Sequence, residues 1–387
     1  MLDLISLALI GVLAGAFTGI VPGIHPNTVI FTSIPFYLST SMAFMSYAAF
    51  ISGLSVSHTF HDFLPSIYMQ APDANTALST MPGAEKAANG EGPEAFHSTL
   101  IGGIVSIVAL ILALPVLTLF LEDFYTFIEP FMAYIVAFFL FFLIFRNKFR
   151  PAIITAVLAG ALGMISLNSS LGGQFILMPV FGGLFAVPAV ISSLEKDFEL
   201  PQQDFEAGFS GGRGGLAGLL SGLIAGTVPG VGAAGSTTFL SPLMDDGSEF
   251  LAGMGGVNTT DIVVSLLALL LIGKARSGAS VALQSLSTPV RHEIFLLIGL
   301  SVFCAGISAL LALRTERFFL KVIELVNFRK AGVAVLSIVC VLSFVLSGWF
   351  GVLTLATASF IGFYSLENSC RAACMAVLLV PSIAFFM

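Results

Sequence analysis

The residues best suited to hold a charged ligand follow two Pro-Gly pairs. After Pro22-Gly23 come His25, Pro26, Asn27 and Thr28; after Pro229-Gly230 come Gly232, Gly235, Ser236, Thr237 and Thr238. Proline removes a backbone donor and glycine admits positive φ, so each pair stops a helix. The helix that follows begins with unpaired N–H groups and a positive dipole end, which suits a carboxylate or a phosphate. Loosened carbonyls at such breaks suit Na⁺ or a proton carrier. His25 titrates near neutrality and reads either as a proton carrier or as a donor to a backbone carbonyl. The competing reading is a pair of packing kinks whose hydroxyls bond back to their own helices. Two related copies, each followed by polar residues, favour a binding site.

A second set of candidates for the anion or its coupling ion is spread over two apolar segments and one loop. His58, His61 and Asp62 end the first segment; Asn258, Thr259 and Asp261 lie inside the second, roughly in line with His58 to His61 at a shift of 200 positions. The spacing of His58 and His61 puts them on one helix face, but no further ligand completes a metal set, so no metal is expected. A carboxylate within a membrane segment is costly and is a functional candidate by default, which singles out Asp261 unless it marks a helix end. Lys274 and Arg276 follow in a loop and could add a charge-assisted bond to an anion. No nucleophile elbow, phosphate loop or zinc-protease motif occurs, so hydrolytic and ATP-driven activities are not expected.

The elements that carry these residues are repeated. Gly11 to Gly23 reads GVLAGAFTGIVPG and Gly218 to Gly230 reads GLLSGLIAGTVPG, with seven of thirteen positions identical at a shift of 207. Gly11, Gly15 and Gly19 share one helix face, as do their counterparts, so another backbone can approach closely. At 57% hydrophobic and 10% charged residues, with a mean hydropathy of +1.01, the chain is an integral membrane protein. The apolar runs lack period-2 alternation, which excludes a closed barrel. A net charge of −7 with no basic stripe excludes nucleic acid as partner. No basic region precedes the first apolar run, so no cleaved leader is expected. Cys304, Cys340, Cys370 and Cys374 sit in apolar segments and are read as small hydrophobes without a disulfide.

The expected fold is an all-α polytopic membrane protein of about 10–12 membrane segments, built from two repeats with broken helices. The first repeat covers residues 1–194, a polar linker 195–215, and the second repeat 216–387. Spans are expected near 98–121, 124–145, 152–167 and 174–194 in the first, and near 253–272, 293–313, 331–347, 349–364 and 370–386 in the second. Arg314 to Lys330 reads as a basic amphipathic connector. Placing Arg146, Lys148 and Arg150 in the cytoplasm makes the two repeats enter the membrane from opposite sides.

With these motifs, GAFTGIVPGIHPNT and GLIAGTVPGVGAAGST, and with LPSIYMQAPDANTALSTMPG (64–83) and GKARSGASVAL (273–283), the chain resembles the TctA family. That family is the large membrane subunit of tripartite tricarboxylate transporters, and the closest likeness is to its shorter archaeal-type members. The resemblance implies a multi-pass plasma-membrane carrier of carboxylates, driven by Na⁺ or H⁺, with the Pro-Gly breaks in the substrate site. It implies a small membrane subunit and an extracytoplasmic binding protein as partners. The breaks are also similar to those of the DUF368 family, which implies a polyprenyl phosphate lipid carrier as the alternative cargo.

Overall fold

The structure is a computed structural model and describes residues 2–22, 24–72, 76, 78, 80–171, 175–195, 200–205, 211–244, 247–287, 289–325 and 328–387. These residues form helices and no strands. In chain order they are α1 (Leu2–Ile20), α2 (Pro26–Leu38), α3 (Phe44–His61), α4 (Phe63–Tyr68), α5 (Thr80–Ala88), α6 (Gly92–Ile128), α7 (Met132–Phe145) and α8 (Phe149–Leu167). Then follow α9 (Leu177–Phe181), α10 (Val187–Glu195), α11 (Gly212–Thr227), α12 (Gly232–Leu240) and α13 (Gly247–Leu271). The chain closes with α14 (Gly278–Leu286), α15 (Arg291–Leu325), α16 (Phe328–Glu367) and α17 (Ala376–Phe386). Six described stretches are long and apolar enough to cross a membrane: 3–20, 92–145, 149–167, 247–271, 291–323 and 332–367.

Helix boundaries follow breakers more closely than charges. A break is expected at Glu122-Asp123, yet α6 runs through both, because acidic residues do not stop a helix. The turn comes at Glu129–Phe131, which contains Pro130. Within α16 the expected boundary holds: Gly348 has φ 59° and ψ −154°, a conformation open to glycine alone, and it divides the helix in two. The supposed connector from Arg314 is instead the last turns of α15, and α11 begins at Gly212, inside the expected linker.

Glycine faces decide the packing. A Cβ at Gly11 would lie 2.2 Å from the Phe50 carbonyl oxygen, and one at Gly15 would lie 2.2 Å from that of Leu54. One at Gly19 would lie 2.6 Å from Cβ of His61. Rising numbers meet rising numbers, so α1 and α3 run parallel with their backbones in contact. The second copy repeats this: Gly214 faces Glu249, Gly218 faces Gly256, Gly222 faces Thr260 and Gly226 faces Val264, so α11 and α13 are also parallel.

The two pairs run in opposite senses. Gly92 and Gly103 of α6 abut Tyr68 and Phe60, so α6 descends against α3–α4. The same helix runs with α11 and α13, where Gly102 faces Ala252 and Gly215 faces Val105. α6 therefore packs on α11 and α13, while α15, from the far end of the chain, packs on α3 and α1. Each glycine-faced pair is completed by a helix from the other half.

Candidate functional site

The two breaks open on one cavity of about 400 Å³, in the size range of small-molecule sites. Its wall includes Pro22, His25, Asn27 and Thr28 at the first break and Pro229, Gly230 and Gly232 at the second. It also includes His58 and Asp62 of α3, Asn258 and Asp261 of α13, and Arg276 before α14. Residues more than two hundred positions apart in the chain thus meet around one space. Gly23, the remaining residue of the first break, lies outside the described residues. Gly235, Ser236, Thr237, Thr259 and Lys274 are not in the wall. The hydroxyls of Ser236, Thr237 and Thr238 bond to carbonyls of their own helix at 2.8–2.9 Å (Gly232, Ala233 and Ala234), and Thr259 bonds to the Gly255 carbonyl at 3.1 Å. These four behave as helix residues whose polar groups are satisfied locally.

Three helix N-termini reach the cavity. α2 starts at Pro26, where a missing N–H costs nothing, and Nδ1 of His25 accepts from the Asn27 N–H at 3.2 Å. Accepting at Nδ1 places the neutral ring's proton on Nε2. α12 starts at Gly232 behind Val231, which supplies no side-chain cap, and Gly232 and Ala233 of its first turn line the cavity. α14 is capped by Ser277 in a reciprocal box with Ser280. Its Gly278 sits so close to α2 that a Cβ there would lie 2.2 Å from Oδ1 of Asn27. Gly230 and Gly232, at φ 80° and 61°, give the second break its turn, and a Cβ on Gly230 would meet Oγ of Ser382 at 2.2 Å. Each N-terminus contributes a partial positive charge.

Between the breaks lies a connected polar cluster. The Thr18 hydroxyl donates to the Gly15 carbonyl at 3.0 Å, so its oxygen is left to accept from Nδ1–H of His58, also at 3.0 Å. Nε2 of His58 then stands 3.9 Å from Oδ2 of Asp62, and the Asn258 amide donates to that same oxygen at 2.8 Å. Asp62 and Asn258 are 3% and 1% exposed, so Oδ2 of this carboxylate is held by the Asn258 amide rather than by water. Among the described residues the Asn258 Oδ1 has no partner. The rings of His25 and His58 are 5.6 Å apart.

The glycine contacts correct the expected alignment of the two clusters. Gly15 meets His58 and Gly222 meets Thr260 and Asp261, so the contacts of the two helix pairs correspond at a shift of 203 along α3 and α13, not 200. His58 and Asp261 therefore occupy matching positions, and Asn258 matches Ser55. Polarity alone set the earlier register, and three residues is nearly one helical turn, which keeps the polar residues on similar faces.

The two candidate cations part ways. Arg276 lines the cavity, with one guanidinium nitrogen donating to the Tyr125 hydroxyl at 2.6 Å and its carbon 5.7 Å from that ring's centroid. Lys274 turns to Glu129 and Tyr125 instead. The Glu129 carboxylate holds its ammonium above the ordinary lysine range. Two features escaped the sequence reading. The α14 N-terminus lay in an expected loop, with Ser277-x-x-Ser280 as its only signal. Glu316 is fully buried, accepting from the Tyr68 hydroxyl at 2.7 Å and lying 2.8 Å from Nε2 of His97, and so ties α15 to α4 and α6.

A family model described as the tripartite tricarboxylate transporter TctA family matches residues 5–377. The chain belongs to the TctA family. As a TctA-family member it is a multi-pass membrane transporter of an anionic solute and not an enzyme, from a family that works within a tripartite system. An uncharacterised protein of Methanocaldococcus jannaschii is 28% identical over 408 residues, covering the full length of both chains. No solved structure matches this TctA-family chain.

Proposed function

We propose that this protein is a secondary-active carrier of an organic anion of the carboxylate class, working by alternating access in the plasma membrane, with its substrate in the cavity between the two Pro-Gly breaks. The observation that carries the reading is that residues at three helix N-termini and Arg276 line one cavity. The opposed senses of α1–α3 and α11–α13 support two inverted repeats, 1–194 and 216–387, joined by 195–215. In this scheme one repeat's helices rock against the other's around a fixed site. The coupling ion, Na⁺ or H⁺, is held by Asp62, Asn258 and Asp261, with His58 beside them: oxygen ligands suit Na⁺, and the His58–Asp62 pair suits a proton. The small membrane subunit and extracytoplasmic binding protein of the family's tripartite system are the partners.

Uptake of labelled di- and tricarboxylates and monocarboxylates into proteoliposomes under an imposed Na⁺ or H⁺ gradient tests this. The R276Q variant, if it elutes from gel filtration as the wild type does, is expected to lose at least tenfold in uptake. Undiminished uptake by R276Q would remove the cavity from the transport path.

A further inference from the structure

We infer that the cavity takes a solute with a single anionic group and an apolar body, in preference to a di- or tricarboxylate. This rests on the reading of the cavity as the transport site and narrows its cargo. Among the described residues, the ionisable groups of the wall are His25, His58, Asp62, Asp261 and Arg276. One permanent cation therefore stands against two carboxylates, and a citrate would bring three further negative charges into that balance. The cationic features are also gathered at one place. Gly278 abuts Asn27, so the N-termini of α14 and α2 adjoin, and Arg276 lies two residues before Gly278. One anionic head can be met there; a second and third on the same small molecule would face Asp62 or Asp261.

Another part of the described wall is apolar. Met178 and Phe181 of α9 and Val335 and Val339 of α16 line it, and both valines are buried in the surrounding apolar packing. An apolar body placed on this wall leaves water behind, and its head then reaches the helix termini. A soluble aliphatic or aromatic monocarboxylate and the phosphate end of a prenyl lipid share that chemistry.

The test is binding to the purified full chain in nanodiscs, with Na⁺ present throughout, of butyrate, hexanoate, octanoate, succinate, citrate and geranyl phosphate. Along the monocarboxylate series Kd is expected to fall roughly fourfold per added methylene, with citrate at least tenfold weaker than octanoate. M178S and V335S, made separately, should flatten the dependence on chain length and weaken octanoate more than butyrate; R276Q should weaken every monoanion. Geranyl phosphate binding tighter than octanoate would assign the lipid source, and the reverse order the soluble one. Succinate or citrate binding as tightly as octanoate, while still weakened by R276Q, would overturn this inference and leave the transport site standing. A chain-length dependence that survives in both wall variants would overturn it as partition into the bilayer. Binding of every solute that ignores R276Q, or no binding at all, would remove the site itself.

Discussion

The two breaks stand on matching scaffolds but are furnished differently. At the first, side chains face the cavity: His25 caps α2, Asn27 meets α14, and His58 and Asp62 look in from α3. At the second, backbone faces it: Gly230 and Gly232 turn the chain at positive φ, and the first amides of α12 are uncapped. The glycine contacts beneath are alike, Gly15 on α3 and Gly222 on α13. The scaffold is thus symmetric and the chemistry is not, which suits the proposal that a solute and an ion bind at one place with two different ends.

Breaking the scaffold should hurt both halves equally and most severely. G15L and G222L each drive a side chain into the facing helix, where a Cβ alone would stand 2.2 Å from the Leu54 carbonyl oxygen or 2.0 Å from the Thr260 hydroxyl. Each alanine is expected to cost roughly 1–3 kcal/mol and each leucine more, seen as loss of monodisperse protein in detergent. If one half tolerates its leucine, the parallel between the pairs fails.

The chemistry should respond unevenly. D62N and D261N are expected to reduce driven uptake at least tenfold while leaving solute binding within about twofold, since each removes a coupling carboxylate rather than an anion donor. Equal loss of binding in both would place the carboxylates on the solute. H25A removes the α2 cap and should lower stability by about 1 kcal/mol, read as a lower thermal midpoint. Least of all, K274Q should change stability within about 0.5 kcal/mol, because Lys274 and Glu129 are both about 40% exposed. Their pair is intact at neutral pH. Because Glu129 raises the lysine's pKa, that contribution is present below the usual lysine range and is lost only as pH climbs through the raised value.

Much of this arrangement was legible in the sequence because it is written in backbone terms. The spacing of Gly11, Gly15 and Gly19 and of their copies states where two helices touch, and the Pro-Gly pairs and Gly348 state where helices stop. Arg276 was legible, with Lys274, as one of two cations in a loop between apolar segments. Side chains whose role depends on a distant partner were not. Met178 and Val339 look like any apolar helix residues until α9 and α16 are brought to one cavity. Glu316 sits among Arg314 and Arg317 and reads as surface until α4 and α6 bury it. The pairing of His58 with Asp261 needed the glycine register, since polarity recurs on a helix face every three or four residues.

The exchange of α6 and α15 between the halves has a consequence for how the protein is made. When the ribosome has released α1 and α3, the helix that completes their pair, α15, is still some 230 residues away, while α6 arrives with its own partners α11 and α13 unmade. Neither half can close on itself during synthesis. A chain cut between residues 195 and 211 should therefore yield two fragments that are unstable when expressed apart and recover transport when expressed together, each acting as the other's chaperone.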